Sequence, residues 1–143
     1  MKKFALPLIL ALIASPAFAE TVFLCNTTNG KQIKLVDNGD TFTYEFGKGK
    51  KTELKFSIAK HKIDYTEDHW KLTSGYHWTM PYKGNTYTVF SSTINVDENR
   101  EELDTPRKEA GVTVNQDKPN SKTILCNPKQ IKVDKIENYV TPS

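Results

Sequence analysis

Between Lys31 and Ile58 the chain reads KQIKLVDNGDTFTYEFGKGKKTELKFSI, and the parity of its apolar residues decides the fold class. Ile33 and Leu35 alternate with polar residues, Phe42, Tyr44 and Phe46 do the same, and Leu54, Phe56 and Ile58 repeat the pattern. A period of two marks half-buried strands, because successive side chains point to opposite faces. Asn38-Gly39 tolerates the left-handed backbone of a tight hairpin turn, so a two-residue turn there pairs Leu35 with Phe42 and Ile33 with Tyr44. The next apolar set meets the even-numbered aromatics only if an odd number of residues intervenes. Lys48-Gly49-Lys50 meets that need and sets Phe46 against Thr52, Tyr44 against Leu54 and Phe42 against Phe56. Upstream, a turn from Thr27 to Gly30 puts Val22 and Leu24 opposite Leu35 and Ile33. Four consecutive strands then share one core face, an antiparallel meander from Thr21 to Ile58.

The pattern continues downstream with less regular punctuation. Tyr76, Trp78, Met80 and Tyr82 alternate with polar residues and Pro81, which lacks the N–H of a ladder donor and points to an edge or a bulge. A hairpin at Ser74-Gly75 precedes them, and a turn at Gly84-Asn85 pairs Tyr82 with Tyr87 and Met80 with Val89. From Asn95 to Ala110 the chain is highly charged and loses alternation, which predicts a long loop or a short exposed helix. Gly111–Val114 and Lys122–Cys126 read as closing strands. In the tail from Pro128, Ile131 and Val133 alternate as in a strand, while Ile136, Tyr139 and Val140 fit a short helix. The expectation is all-β: one antiparallel β-barrel or β-sandwich of about eight strands, closed by one disulfide, with a short C-terminal tail.

Residues 1–19 read as an export signal. Lys2 and Lys3 open it, the run from Phe4 to Ile13 is apolar, and Ala17-Phe18-Ala19 is a small-x-small cleavage site, so the cut is expected after Ala19. The apolar run is shorter than the roughly 20 residues of a membrane span, and nothing later approaches that length. This predicts a periplasmic or secreted protein whose residues 20–143 form a single domain. The formal charge of the whole chain is +3, and two of those charges are Lys2 and Lys3. The remainder is close to neutral, without the strong basic bias expected of a nucleic-acid-binding protein.

Cys25 and Cys126 form an even pair in an exported chain, which reads as a disulfide joining its two ends. A metal site would need further ligands nearby, and Thr21-Val22-Phe23-Leu24 lacks the small residues that precede a lipidated cysteine. Closing a loop of about 100 residues is worth about 4–5 kcal/mol in the chain-entropy model.

Among chemistry-bearing residues, His61, His69 and His77 recur every eight positions, the last two within His69-Trp70 and His77-Trp78. Neutral imidazoles bind zinc and copper well, so His69 and His77 are the metal candidates. A hairpin at Ser74-Gly75 would put His77 opposite Leu72 and His69 opposite Met80, on opposite faces, which favours structural histidines. Ser74, Ser91 and Ser92 lie in no Gly-x-Ser-x-Gly elbow. No phosphate loop or cofactor fingerprint is present, so no cofactor is expected. Tyr65 and Trp70 fit no clean alternation and are candidates for an exposed contact, since Tyr and Trp are frequent binding anchors. Asp97, Glu98, Glu101 and Glu102, with Asp104, form either a solvated insertion or a recognition element for a basic partner.

The strings Cys25–Ile33, Tyr44–Gly47, Tyr87–Ser92 and Glu109–Val114, with the late Cys126, make the chain similar to a group of small signal-bearing periplasmic proteins of Gram-negative bacteria. That group brings no catalytic residue to transfer. In size, export, β content and cysteine count the chain also resembles periplasmic inhibitors of c-type lysozyme, whose Ser-Ala-Ser-Gly signature is matched here by Ser74-Gly75-Tyr76 alone. The resulting expectation is a non-enzymatic periplasmic binding protein, an inhibitor or immunity-type module against a cell-wall enzyme or toxin, with a protein partner and no nucleic acid. A small-ligand or metal-binding protein is the alternative, and a hydrolase the third reading.

Overall fold

Period-two segments become strands wherever the sequence carries them, and in one place where it does not. A computed structural model describes residues 19–70 and 73–139, so the expected export signal lies outside the described residues except for Ala19. Nine strands form: β1 (Glu20–Thr27), β2 (Gln32–Asp37), β3 (Thr41–Lys48), β4 (Lys51–Ala59), β5 (Asp64–Trp70), β6 (Thr73–Tyr82), β7 (Asn85–Val96), β8 (Glu102–Val114) and β9 (Lys122–Asp134). Single 3-10 turns lie at Lys60–Lys62 and Ile136–Tyr139. The strands make one curled antiparallel sheet, a half-barrel, in the order β4-β3-β2-β1-β9-β8-β7-β6-β5. No helix among the described residues is long and apolar enough to cross a membrane.

The charged stretch expected as a loop is mostly strand, carrying β7 on to Val96 and starting β8 at Glu102, ahead of the expected Gly111–Val114. Residues 97–101 alone form the turn, and β7 and β8 pair from Tyr87↔Val114 to Ile94↔Arg107 and again at Val96↔Glu102, with an irregularity in β8 between the two. Outside the core a strand needs no apolar period, since its backbone bonds are satisfied by its neighbour whatever the side chains.

Faces follow parity, while partners depend on turn length. In β2–β3 the pairs are Leu35↔Tyr44 and Ile33↔Phe46, two residues from expectation but on the expected face. The turn is longer than Asn38-Gly39 alone: Asn38 N–H donates to the Thr41 carbonyl at 2.9 Å, and Gly39 N–H to Asp37 Oδ1 at 2.9 Å. Between β3 and β4 the turn is Gly49-Lys50, and the odd residue demanded by parity sits in the strand as a bulge after Phe46, giving Phe46↔Leu54, Tyr44↔Phe56 and Phe42↔Ile58. β1 is a correction. Phe23 pairs with Leu35 and Cys25 with Ile33, so Leu24 lies opposite Lys34 on the outer face. The connection closes one residue later than expected, Asn26 pairing with Gln32, and a one-residue slip reverses every side chain. A bulge at Val22 keeps that residue buried as well.

Two further turns move. β6 runs unbroken through Ser74-Gly75, and its pairing with β5 extends as far as Trp70↔Thr73. Lys83-Gly84, with φ of 46° and 79°, makes the next turn and pairs Met80 with Tyr87 and Trp78 with Val89.

The half-barrel folds its two ends over one core. β9 belongs to both: Lys122–Leu125 pair with β8, whereas Cys126 and Ile131–Asp134 pair with β1. The Cys25–Cys126 disulfide forms where β9 changes partner, with Cα atoms 5.8 Å apart. Across the core Phe42 meets Trp78 at 4.6 Å between ring centroids, and Phe56 stacks on Tyr82 at 4.4 Å. The expected tail is part of this core. Ile136 is fully buried, and Tyr139 stands edge-on to both Phe42 and Trp78.

Candidate functional site

Large apolar and aromatic side chains fill the interior of the half-barrel among the described residues. Trp78, Tyr44, Phe23 and Phe42 are the largest fully buried side chains, and Tyr82 and Tyr87 pack against them from the rim. Burial and the neighbouring Tyr87 push the Tyr44 hydroxyl well above its ordinary ionisation range.

The β7–β8 hairpin leaves this packed region. The last β6–β7 pair is Ser74↔Thr93, and β9 follows β8 only over Gly111–Val114. Glu102–Ala110 of β8 therefore has β7 on one side and no ladder partner on the other among the described residues. The hairpin root is held by Asp134, which accepts a hydrogen bond from the buried Ser91 hydroxyl and pairs with Lys108 at 3.1 Å. Its tip is built by Asp97. The Asp97 carboxylate accepts the Asn99 and Glu101 N–H groups at 2.8 and 2.9 Å, while Asp97 N–H donates to the Glu101 carbonyl at 2.8 Å. Arg100 takes the left-handed conformation that closes the turn, with φ of 65°.

Asp97 is thus used in shaping the tip, and Glu98, Glu101, Glu102 and Asp104 are exposed around it. Trp70 closes the β5–β6 hairpin, which ends alongside Thr93 and Ile94 through the Ser74↔Thr93 register. The Trp70 side chain lies outside the described residues. Register therefore brings the Trp70 backbone and the acidic tip to one end of the molecule, although sequence separates them widely. Tyr65 is placed elsewhere: half-buried, it stands edge-on to Trp78 at 5.4 Å and donates its hydroxyl to the Lys60 carbonyl at 3.0 Å. Burial, followed by the charge of Asp37, raises its pKa.

The histidines do not converge. His69 is exposed and contacts Glu67 on the face of β5 that also carries Tyr65, whereas His77 pairs with Asp68 at 3.1 Å and stacks on Phe90 on the other face. No group of three or more His, Cys, Asp or Glu residues that could hold a metal ion occurs among the described residues.

A polar cluster that the sequence did not reveal spans the gap between β4 and β5, where no ladder forms. Asp37 accepts from Lys60 Nζ at 2.7 Å and from the Tyr139 hydroxyl at 2.8 Å, and Lys60 Nζ lies 4.8 Å from the Phe42 ring centre. Burial alone would raise the pKa of Asp37, but the bonds from Lys60, Gly39 N–H and Tyr139 hold it below its ordinary 3.8. Burial and the Asp37 carboxylate push Tyr139 up to about 12. Residues 37, 60 and 139 come from three distant segments, and only their alternation signals were legible beforehand. The cluster closes the core beside Phe42. The chain matches no family model, no curated protein and no solved structure.

Proposed function

We propose that the chain is an exported, non-enzymatic binding protein of the periplasm, an inhibitor or immunity-type module whose projecting β7–β8 hairpin engages a basic protein partner such as a wall hydrolase or toxin. The observation that carries this reading is the hairpin itself. Glu102–Ala110 extends past its ladder partner β9, ends in a turn tied by Asp97, and displays Glu98, Glu101, Glu102 and Asp104 to solvent. A turn already closed by four hydrogen bonds from backbone N–H groups, two to the Asp97 carboxylate and two to backbone carbonyls, loses little conformational freedom on binding. Acidic groups around it accelerate encounter with a cationic surface and disfavour acidic partners. A core filled by Trp78, Tyr44 and Phe42 supports external recognition over ligand storage inside the barrel.

The test is affinity capture from periplasmic extract with residues 20–143, oxidised, coupled with inhibition of c-type lysozyme. The expected result is a retained basic protein or a stoichiometric loss of wall-lytic activity. A column that retains no partner, with lysozyme unaffected, would contradict the reading.

A further inference from the structure

The opposite end of the half-barrel carries a second surface of opposite charge. The β3–β4 ladder there is bulged between Phe46 and Gly47, and Gly47 permits it. A Cβ at Gly47 would stand 2.1 Å from the Lys51 carbonyl oxygen and 2.9 Å from Thr52 Cα, so only a residue without a side chain lets the turn lie this close. A cleft of about 310 Å³ lies between the turn residues Gly49 and Lys50, with Lys51 at the start of β4, and the β2 residues Gln32 and Lys34. Gln32 and Gly49 also line an adjoining cleft of about 230 Å³, bounded by Asn26, Lys31 and Gln130.

Charge in the pair of clefts is unbalanced. Lys31 is bound by both oxygens of Glu53 at 2.9 Å, and Glu45 at the cleft wall is paired with Lys55 at 3.4 Å. Lys34, Lys50 and Lys51 have no ion-pair partner among the described residues, and they enter the larger cleft from β2 and from the turn. Side-chain amides of Asn26, Gln32 and Gln130, each able to donate and accept, continue the lining beyond the reach of one small ion. One aromatic ring, Phe46, lines the clefts, and Lys31 Nζ lies over it at 5.2 Å. A stacking platform for nucleobases is therefore not offered.

We infer that these joined clefts form a binding site for an anionic oligosaccharide, with Lys34, Lys50 and Lys51 meeting its carboxylate groups and Asn26, Gln32 and Gln130 meeting its hydroxyls. The site is independent of the acidic hairpin and stands whether or not that hairpin binds a protein.

The experiment follows backbone amide chemical shifts of the oxidised 20–143 chain during titration with a galacturonic acid oligomer. A neutral maltose oligomer, inorganic phosphate and a short single-stranded oligonucleotide are run in parallel. The expected result is saturable shifts at Gln32, Lys34, Gly47, Gly49, Thr52 and Gln130 with the uronate oligomer and none with the neutral one. Substituting Lys34→Gln, half-buried on the outer face, and Lys51→Gln, exposed, should weaken binding about tenfold while the rest of the spectrum is unchanged. Glu98→Lys should leave it intact, which separates this site from the hairpin. Shifts that spread to Lys83 and Lys122, equal response to the neutral sugar, phosphate binding as tight as the oligomer, preference for the oligonucleotide, or no loss in the glutamine variant would each overturn the inference.

Discussion

The half-barrel has two joins between its halves, and they are made of different material. At one, β9 passes from β8 to β1 as continuous strand, with the Cys25–Cys126 bond at the crossing. At the other, β4 and β5 are connected by the turn Lys60–Lys62 without a ladder between them, and side chains close the gap: Asp37, Lys60, Tyr65 and Tyr139 around the Phe42–Trp78 contact. Ladder hydrogen bonds tolerate changes of sequence and pH, whereas a side-chain cluster depends on the protonation and identity of a few groups. One join should therefore respond to reductant and the other to pH.

Reduction is expected to have the largest effect. Breaking Cys25–Cys126 frees a chain separation of 101 residues, and the chain-entropy model puts the loss at about 4–5 kcal/mol. Denaturant midpoints with and without reductant measure it, and a shift near zero would mean that the ladder alone holds this join.

Next in size is the acid response of the other join. Asp37 has a folded pKa below its ordinary 3.8, so its contribution is present above that value and fades as pH falls through the folded pKa. Tyr139 has the opposite sign: with a folded pKa of about 12 against 10.0, it stabilises fully below pH 10.0 and loses that contribution as pH rises toward 12. Asp37→Asn should cost about 1–3 kcal/mol at neutral pH and flatten the melting profile on the acid side. Tyr139→Phe should flatten the alkaline limb. If wild type and Asp37→Asn lose stability in parallel below about pH 4, the cluster is not the acid-sensitive element.

A smaller change is expected from Tyr65→Phe, which removes the bond to the Lys60 carbonyl but keeps the ring against Trp78, for a loss of about 0.5–1.5 kcal/mol by thermal melting. An unaltered melting curve would mean that the hydroxyl adds nothing to the join.

The same contrast explains what the sequence disclosed. Alternation of Ile33, Leu35, Phe42, Tyr44, Phe56 and Ile58 reports faces, because a side chain's direction is set locally, and these faces were legible. Partner identity depends on turn length, so Leu35 meets Tyr44 rather than Phe42, and one residue more before β2 turned Leu24 outward. The β8 segment Glu102–Glu109 was illegible as strand because solvent, rather than a core, surrounds most of it. His69 and His77 fall on opposite faces in either register, but their partners differ because β6 runs through Ser74-Gly75 and pairs with β5 as far as Trp70↔Thr73. The acidic residues of the tip were visible as a charged stretch, while Asp97's use in the turn was not, and the close approach of Gly47 to the β4 backbone had no local signature.

The claim on which the functional account rests is that recognition belongs to the hairpin tip and not to the joins that hold the fold. Partner capture by wild type should be compared with capture by a Glu98→Lys, Glu101→Lys and Glu102→Lys variant of the oxidised 20–143 chain. These side chains are exposed, so the account predicts an unfolding free energy changed by no more than about 0.5 kcal/mol per substitution together with loss of the retained partner. Undiminished capture by the folded variant would contradict it.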